Sequence, residues 1–150
     1  MAKQKEVAAK IPPQSIDAEM SLLGAILIDD DVLADVSETV KPQDFYDKRH
    51  QLIFKSMMHL YEQHKPVDLL TLTEELKKTD NFETIGGSTY LTELTNYVPT
   101  AAHAASYAEI VAQKAVRRRL IKASGEISEL GFDVGRSEER RVGKECRSRW

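Results

Sequence analysis

The sequence predicts an all-α protein: a compact head of about five short helices followed by one long helix. Three observations carry that expectation. Apolar residues recur three and four positions apart through most of the chain, the spacing of a helix face. No stretch alternates with period two for long enough to demand a strand. Residues 100–130, TAAHAASYAEIVAQKAVRRRLIKASGEISEL, run without proline and with one glycine, Gly125, a composition and length that suit a single helix.

Residues 1–12 are polar and aperiodic and are expected to be flexible. The head is expected over residues 13–99 and the long helix over residues 100–133. The first helix follows Ser15, a good N-cap, and holds Asp17 and Glu19 in its first turn, where the dipole favours carboxylates. Ile16, Met20, Leu23, Ile26 and Leu27 make its apolar face, and Gly24 lets a neighbour approach closely. Asp29-Asp30-Asp31 lacks the alternating oxygen ligands and glycine of a calcium loop, so it reads as a turn that caps the next helix. Residues 32–40 form a short second helix, ended by Lys41-Pro42. Asp47 caps a third over residues 48–63, where Ile53, Met57, Leu60 and Tyr61 repeat at helical spacing and Leu52, Phe54 and Met58 widen the stripe. This helix is expected at the centre of the core, and Pro66 ends it. Thr71-x-x-Glu74 reads as a capping box opening a helix through Lys78. A loop with a Gly-Gly turn covers residues 80–87, and residues 89–97 are a further short helix carrying Tyr90, Leu91 and Leu94.

Thr100, just after Pro99, is the expected cap of the long helix and Gly131 its natural stop. At 1.5 Å per residue it is about 45 Å long, more than a small domain needs for its own core. Val111, Ala115, Leu120, Ala123, Ile127 and Leu130 are assigned to one apolar face, with Lys114, Arg117, Arg118, Lys122, Glu126 and Glu129 on the other. A stripe of that length needs a partner helix, and the sequence offers none after it.

With 150 residues, 41% of them hydrophobic, the chain can bury one domain core. No run approaches the eighteen or so apolar residues of a membrane span, and the start, MAKQKEVAAK, lacks the apolar segment of a secretory signal. A cytoplasmic protein is the expectation. Residues 136–150, RSEERRVGKECRSRW, change composition abruptly and hold the only Cys and the only Trp. Their opening Arg-Ser-Glu-Glu is what the first bases of a common short-read sequencing adapter encode in one frame. They are read as adapter read-through and set aside. They take six basic and three acidic residues with them and leave a net charge of −6 over residues 1–135. An acidic domain is poorly suited to gripping phosphates unaided.

No G-x4-G-K-[ST] phosphate loop occurs; Ile85-Gly86-Gly87-Ser88-Thr89 has the glycines without the lysine. His50, His59, His64 and His103 show no metal-ligand spacing, no serine sits in a G-x-S-x-G elbow, and Cys146 falls in the suspect tail. Catalytic, metal and cofactor-binding residues are therefore expected to be none. The basic cluster Arg117-Arg118-Arg119-Lys122 invites a nucleic-acid reading. Three consecutive arginines point in three directions around a helix, so a solvated face or a protein contact is preferred.

Several segments, in order and at matching separations, resemble one family. Pro13-x-Ser15-x-Asp17-Ala18-Glu19-x-Ser21-x-Leu23-Gly24 is similar to the opening of the N-terminal domain of bacterial replicative DNA helicases of the DnaB ring type, with Asp17 in place of the usual Glu. Phe45-Tyr46-x-x-x-His50-x-x-Ile53-Phe54, Pro66-Val67-Asp68-x-x-Thr71-Leu72 and Gly86-Gly87-x-x-Tyr90-Leu91-x-x-Leu94 continue it. So do Pro99-Thr100-Ala101-Ala102, Tyr107-Ala108-x-Ile110-Val111 and Arg118-Arg119-Leu120, with His103 where the family commonly has Asn. The resemblance covers residues 11–133. It implies a helical head and the first arm of a helical hairpin; the second arm and the RecA-like motor, with its ATP and Mg, would follow. It also implies pairing of these domains into a collar on a hexameric ring, recruitment of primase and, in some species, of a loader, and DNA contacts through the motor. The inferred subunit and partner interface is Tyr107, Ile110, Val111, Val116, Leu120, Ile127 and Leu130. An adaptor that consists of this domain alone and caps or poisons a helicase ring is the alternative; a small DNA-binding protein is a third reading that the charge of −6 opposes.

Overall fold

The computed structural model describes residues 11–133. Six α-helices follow one another among them: α1 (Ile16–Ile28), α2 (Leu33–Thr39), α3 (Lys48–Glu62), α4 (Leu69–Lys78), α5 (Gly87–Thr95) and α6 (Ala104–Phe132). Two single 3-10 turns, Asp30–Val32 and Pro42–Asp44, flank α2, and no strand occurs among the described residues. The all-α expectation holds.

The helix starts follow local hydrogen-bond chemistry. Ser15 Oγ accepts from the Ala18 amide (3.2 Å) and Asp47 Oδ1 from the Arg49 amide (2.9 Å), each satisfying a donor that has no partner inside its own helix. At α4 the capping box belongs to a different pair than Thr71 and Glu74. Asp68 Oδ1 accepts from the Thr71 amide (2.9 Å), and Thr71 Oγ1 accepts from the Asp68 amide (3.0 Å). The helix therefore starts before Thr71, which closes the box instead of opening it. Gly86 and Gly87 carry φ of +104° and +66°, and α5 is bounded at Gly87, two residues earlier than the sequence suggests. At Thr100 the hydroxyl accepts from the Ala102 amide (3.2 Å) and shapes the turn before α6. That helix starts at Ala104 and runs through Gly131.

Ile53, Phe54, Met57 and Leu60 put α3 in the core as expected, and α1 is more enclosed still. Every residue from Ala18 to Leu27 except Met20 is buried. The reason is visible in MSLLGAILI, which has no charged side chain to keep in water. By contrast α3 keeps Lys48, Arg49, Lys55 and Glu62 out of the core while it buries Ile53, Phe54, Met57 and Leu60, and Tyr61 is 40% exposed. Close approach of α1 and α5 depends on Gly24. A Cβ there would collide with the Leu94 carbonyl oxygen. The core is completed by Leu33, Val36, Leu72, Leu76, Ile85, Leu91 and, from α6, Ala104, Ala108 and Val111. The chain divides into two compact units between Val116 and Arg117, within α6.

Candidate interaction surface

Of the seven residues inferred from the resemblance, two lie against the core. Val111 is 2% exposed and Tyr107 packs half-buried on the same cluster. Val111 therefore holds the head together and offers no pairing surface. The single apolar face assigned from sequence needs correction for the same reason. At 100° per residue, Leu120 falls about 180° round the helix from Val111. The buried residues of α6 are Ala104, Ala108, Val111 and Ala115, and continuing that spacing reaches Arg118 and Lys122.

A second seam begins one position later. Val116, Leu120, Ala123, Ile127 and Leu130 are spaced four, three, four and three, a heptad pattern. Its large members are 52%, 66%, 68% and 64% exposed in that order. Ile121 (57%) and Phe132 (88%) widen the exposed apolar surface, and sequence reasoning missed both. Ile110, at 39%, lies N-terminal to the seam. A burial pattern that changes face mid-helix cannot be seen from spacing alone; the change at Val116 is what separates these residues from the core.

Sequence reasoning also missed a buried polar network. Glu19 of α1, His50 of α3 and Tyr90 of α5 are 1%, 0% and 8% exposed. Glu19 Oε1 lies 2.7 Å from His50 Nδ1, and His50 Nε2 meets the Tyr90 hydroxyl. A carboxylate only accepts, so Nδ1–H donates to Glu19 and the Tyr90 O–H donates to Nε2, an assignment that satisfies every group. Glu19 also accepts from the amides of Tyr46 (2.7 Å) and Asp47 (3.3 Å). Arg49, bonded to Asp47 (2.9 Å), lies 4.3 Å over the Tyr90 ring and holds the Asp47 carboxyl below its usual range. The carboxylate, imidazole and hydroxyl follow the order of a nucleophile relay. Here the hydroxyl points at the imidazole inside the core, and burial pushes the Tyr90 phenol up to about 12. It is a three-helix tie. All three residues stand in the quoted motifs, which was the available signal.

The other candidate chemistry stays apart. His59 Nδ1 lies 3.0 Å from Glu75, His64 takes φ +60° in the turn after α3, and His103 sets its ring edge-on to Tyr107. Among the described residues, the acidic group near enough to share an ion is Asp29, Asp30 and Asp31. Two of its carboxylates shape the local chain: Asp29 Oδ1 accepts from the Asp31 amide (3.1 Å) and Asp30 Oδ2 from the Val67 amide (2.8 Å). Cys146 lies outside the described residues, as do all of residues 136–150 and the first ten of the expected flexible N-terminus.

The fold that these helices define is an all-α domain ending in one long helix, tied internally by a buried Glu, His and Tyr. Residues 11–113 match the family described as DnaB-like helicase N terminal domain. The chain belongs to that family. It is 46% identical over 123 residues to the replicative DNA helicase DnaB of Geobacillus stearothermophilus, and 45% identical over the same length to the replicative DNA helicase DnaC of Bacillus subtilis strain 168. Each match covers 82% of this chain and 27% of the relative. The chain therefore spans about a quarter of the length of those relatives. In three dimensions it resembles the crystal structure of the N-terminal domain of the DnaB helicase from Mycobacterium tuberculosis. The TM-score is 0.80 at 42% identity, covering 81% of this chain and 85% of that one.

Proposed function

We propose that this chain is the assembly domain of a replicative DNA helicase. In this reading it pairs with a second copy along the seam of Val116, Leu120, Ile127 and Leu130, supports a hexameric ring, and offers a docking platform to primase and, in some species, to a loader. The observation that carries it is the heptad seam left in solvent, at 52–68% exposure. Such a run of large apolar residues is ordinarily covered by another helix. The names of the relatives support the replicative context, and DNA unwinding is assigned to the whole helicase. ATP and magnesium are assigned to its motor. The Gly86-Gly87 turn does not fit a nucleotide: Gly87 packs toward the Phe82 ring, Gly86 is crowded by Tyr90, and no lysine follows. DNA contacts are likewise left to the motor, and the cytoplasm is the proposed location; no described helix is long and apolar enough to cross a membrane.

Sedimentation velocity of the chain and of Leu120→Asp/Leu130→Asp tests the pairing. The expected result is association that the double variant weakens by at least tenfold in Kd, with its far-UV circular dichroism per head residue preserved. Association unchanged in the double variant would sink the assignment. Titration of a purified bacterial primase into the same two proteins then tests recruitment.

A further inference from the structure

The groove between α3 and α4 carries a feature that neither the pairing seam nor the buried network uses. The two helices run antiparallel side by side, and two concavities open along their junction. One, of about 240 Å³, is walled by Leu52, Lys55, Ser56 and His59 of α3 and by Glu75 and Thr79. The other, of about 270 Å³, lies between Leu60, Lys65, Leu70, Glu74, Glu75 and Lys78. They share Glu75 as a wall. The floor is mostly apolar, and Leu70 beside it is 71% exposed. Each concavity has room for a leucine-sized side chain.

The charges around it are unusual for this molecule. Lys55, Lys65 and Lys78 stand on the rim, and none of them pairs with a carboxylate among the described residues. Glu75 is 5% exposed and already bonded to His59 (3.0 Å), which leaves Glu74 as the rim's other carboxylate. The groove thus carries three lysines against Glu74 and Glu75, a small positive excess in a stretch, residues 1–135, whose net charge is −6. The acidic residues 29–38 are folded into the head in and just before α2, and the two segments outside the head core do not have a net negative charge. Residues 1–10 carry three lysines against one glutamate, and α6 carries five basic side chains, Lys114, Arg117, Arg118, Arg119 and Lys122, against Glu109, Glu126 and Glu129.

We infer that this groove docks an acidic amphipathic helix of a partner protein. Leucine-class side chains spaced by one helical turn would enter the two concavities, and flanking carboxylates would face Lys55, Lys65 and Lys78. The inference is independent of the pairing seam and survives its failure.

The test uses the full chain labelled with 15N and a synthetic amphipathic peptide of about sixteen residues, with a leucine face flanked by glutamates. A second peptide has lysines in place of the glutamates, and a short oligothymidylate serves as a phosphate probe. The acidic peptide should shift amide resonances at Ser56, His59, Leu70 and Thr79. Lys55→Glu/Lys65→Glu/Lys78→Glu should weaken it about tenfold with circular dichroism unchanged, and Leu70→Glu should weaken it with all three lysines intact. The inference is overturned by an absence of shifts in the groove, by shifts confined to residues 116–132, or by equal binding of the lysine peptide. It is also overturned if oligothymidylate perturbs the groove and the acidic peptide does not.

Discussion

At His50, 0% exposed, both ring nitrogens depend on partners from other helices, so the cost of losing one is a desolvation cost. Tyr90→Phe removes the one donor to Nε2 among the described residues and leaves that atom buried without it, which should lower stability by about 1–3 kcal/mol. Glu19→Gln should cost at least as much, because one amide oxygen cannot replace a carboxylate that accepts from His50 and two backbone amides. Urea denaturation reads both, and a change below about 0.5 kcal/mol in each would mean that the network is not a tie. The phenol also sets an alkaline limit. Burial raises its pKa from 10.0 to about 12, so between those values the unfolded chain has released the proton and the folded one retains it. Stability is then lost as pH rises through that window and is fully present below it. Tyr97, whose phenol is raised by its bond to Asp17, is present in both proteins. The steeper loss of the native chain relative to Tyr90→Phe between pH 10 and 12 isolates Tyr90, and parallel slopes would refute it.

Two glycines in helices show how different an element's needs can be. In α1, Gly24 sits where a Cβ meets the Leu94 carbonyl oxygen, so Gly24→Ala must push α1 from α5 and should cost about 1–3 kcal/mol. In α6, Gly125 has nothing within 4 Å of an added Cβ, so Gly125→Ala should raise local helix stability by about 1 kcal/mol. Thermal melts followed by circular dichroism separate the two, and an equal sign for both would contradict the packing described here. The same contrast says what spacing could and could not reveal. Ser15, Asp47 and Gly24 were legible because a cap or a close approach is written in one residue and its neighbours. The start of α4 was misplaced because Asp68 and Thr71 satisfy each other as fully as the expected pair would. The enclosure of α1 was not foreseen because a helix apolar on every side has no face to detect, whereas α3 showed a clear stripe. Ile121 and Phe132 were passed over because exposure depends on what lies opposite, and spacing records only the helix itself. The Glu19, His50 and Tyr90 tie joins residues up to 71 positions apart, a proximity that only the fold supplies.

For the molecule as a whole, the decisive quantity is what holds α6 helical beyond Val116. Up to that point Ala104, Ala108, Val111 and Ala115 anchor it to the core; from Arg119 onward every described residue is exposed. A helix without a packed face has only its propensity, which is marginal at this length in water. Val111→Asp and Leu120→Asp should therefore fail in different ways. The first buries a carboxylate at a 2% exposed site and should unfold the head, whereas the second should leave the head intact and act on the seam. Amide exchange carries the argument further. In dilute, monomeric protein the amides of Ala108 and Val111 should exchange only with global unfolding, and those of residues 120–130 at nearly the rate of an open peptide. If the seam pairs with a second copy, protection should spread along residues 120–130 as concentration rises, and it should do so in the native chain but not in Leu120→Asp/Leu130→Asp. Strong protection there at a concentration where sedimentation reports a monomer would show that the helix is self-sufficient, and the seam would lose its reason for a partner.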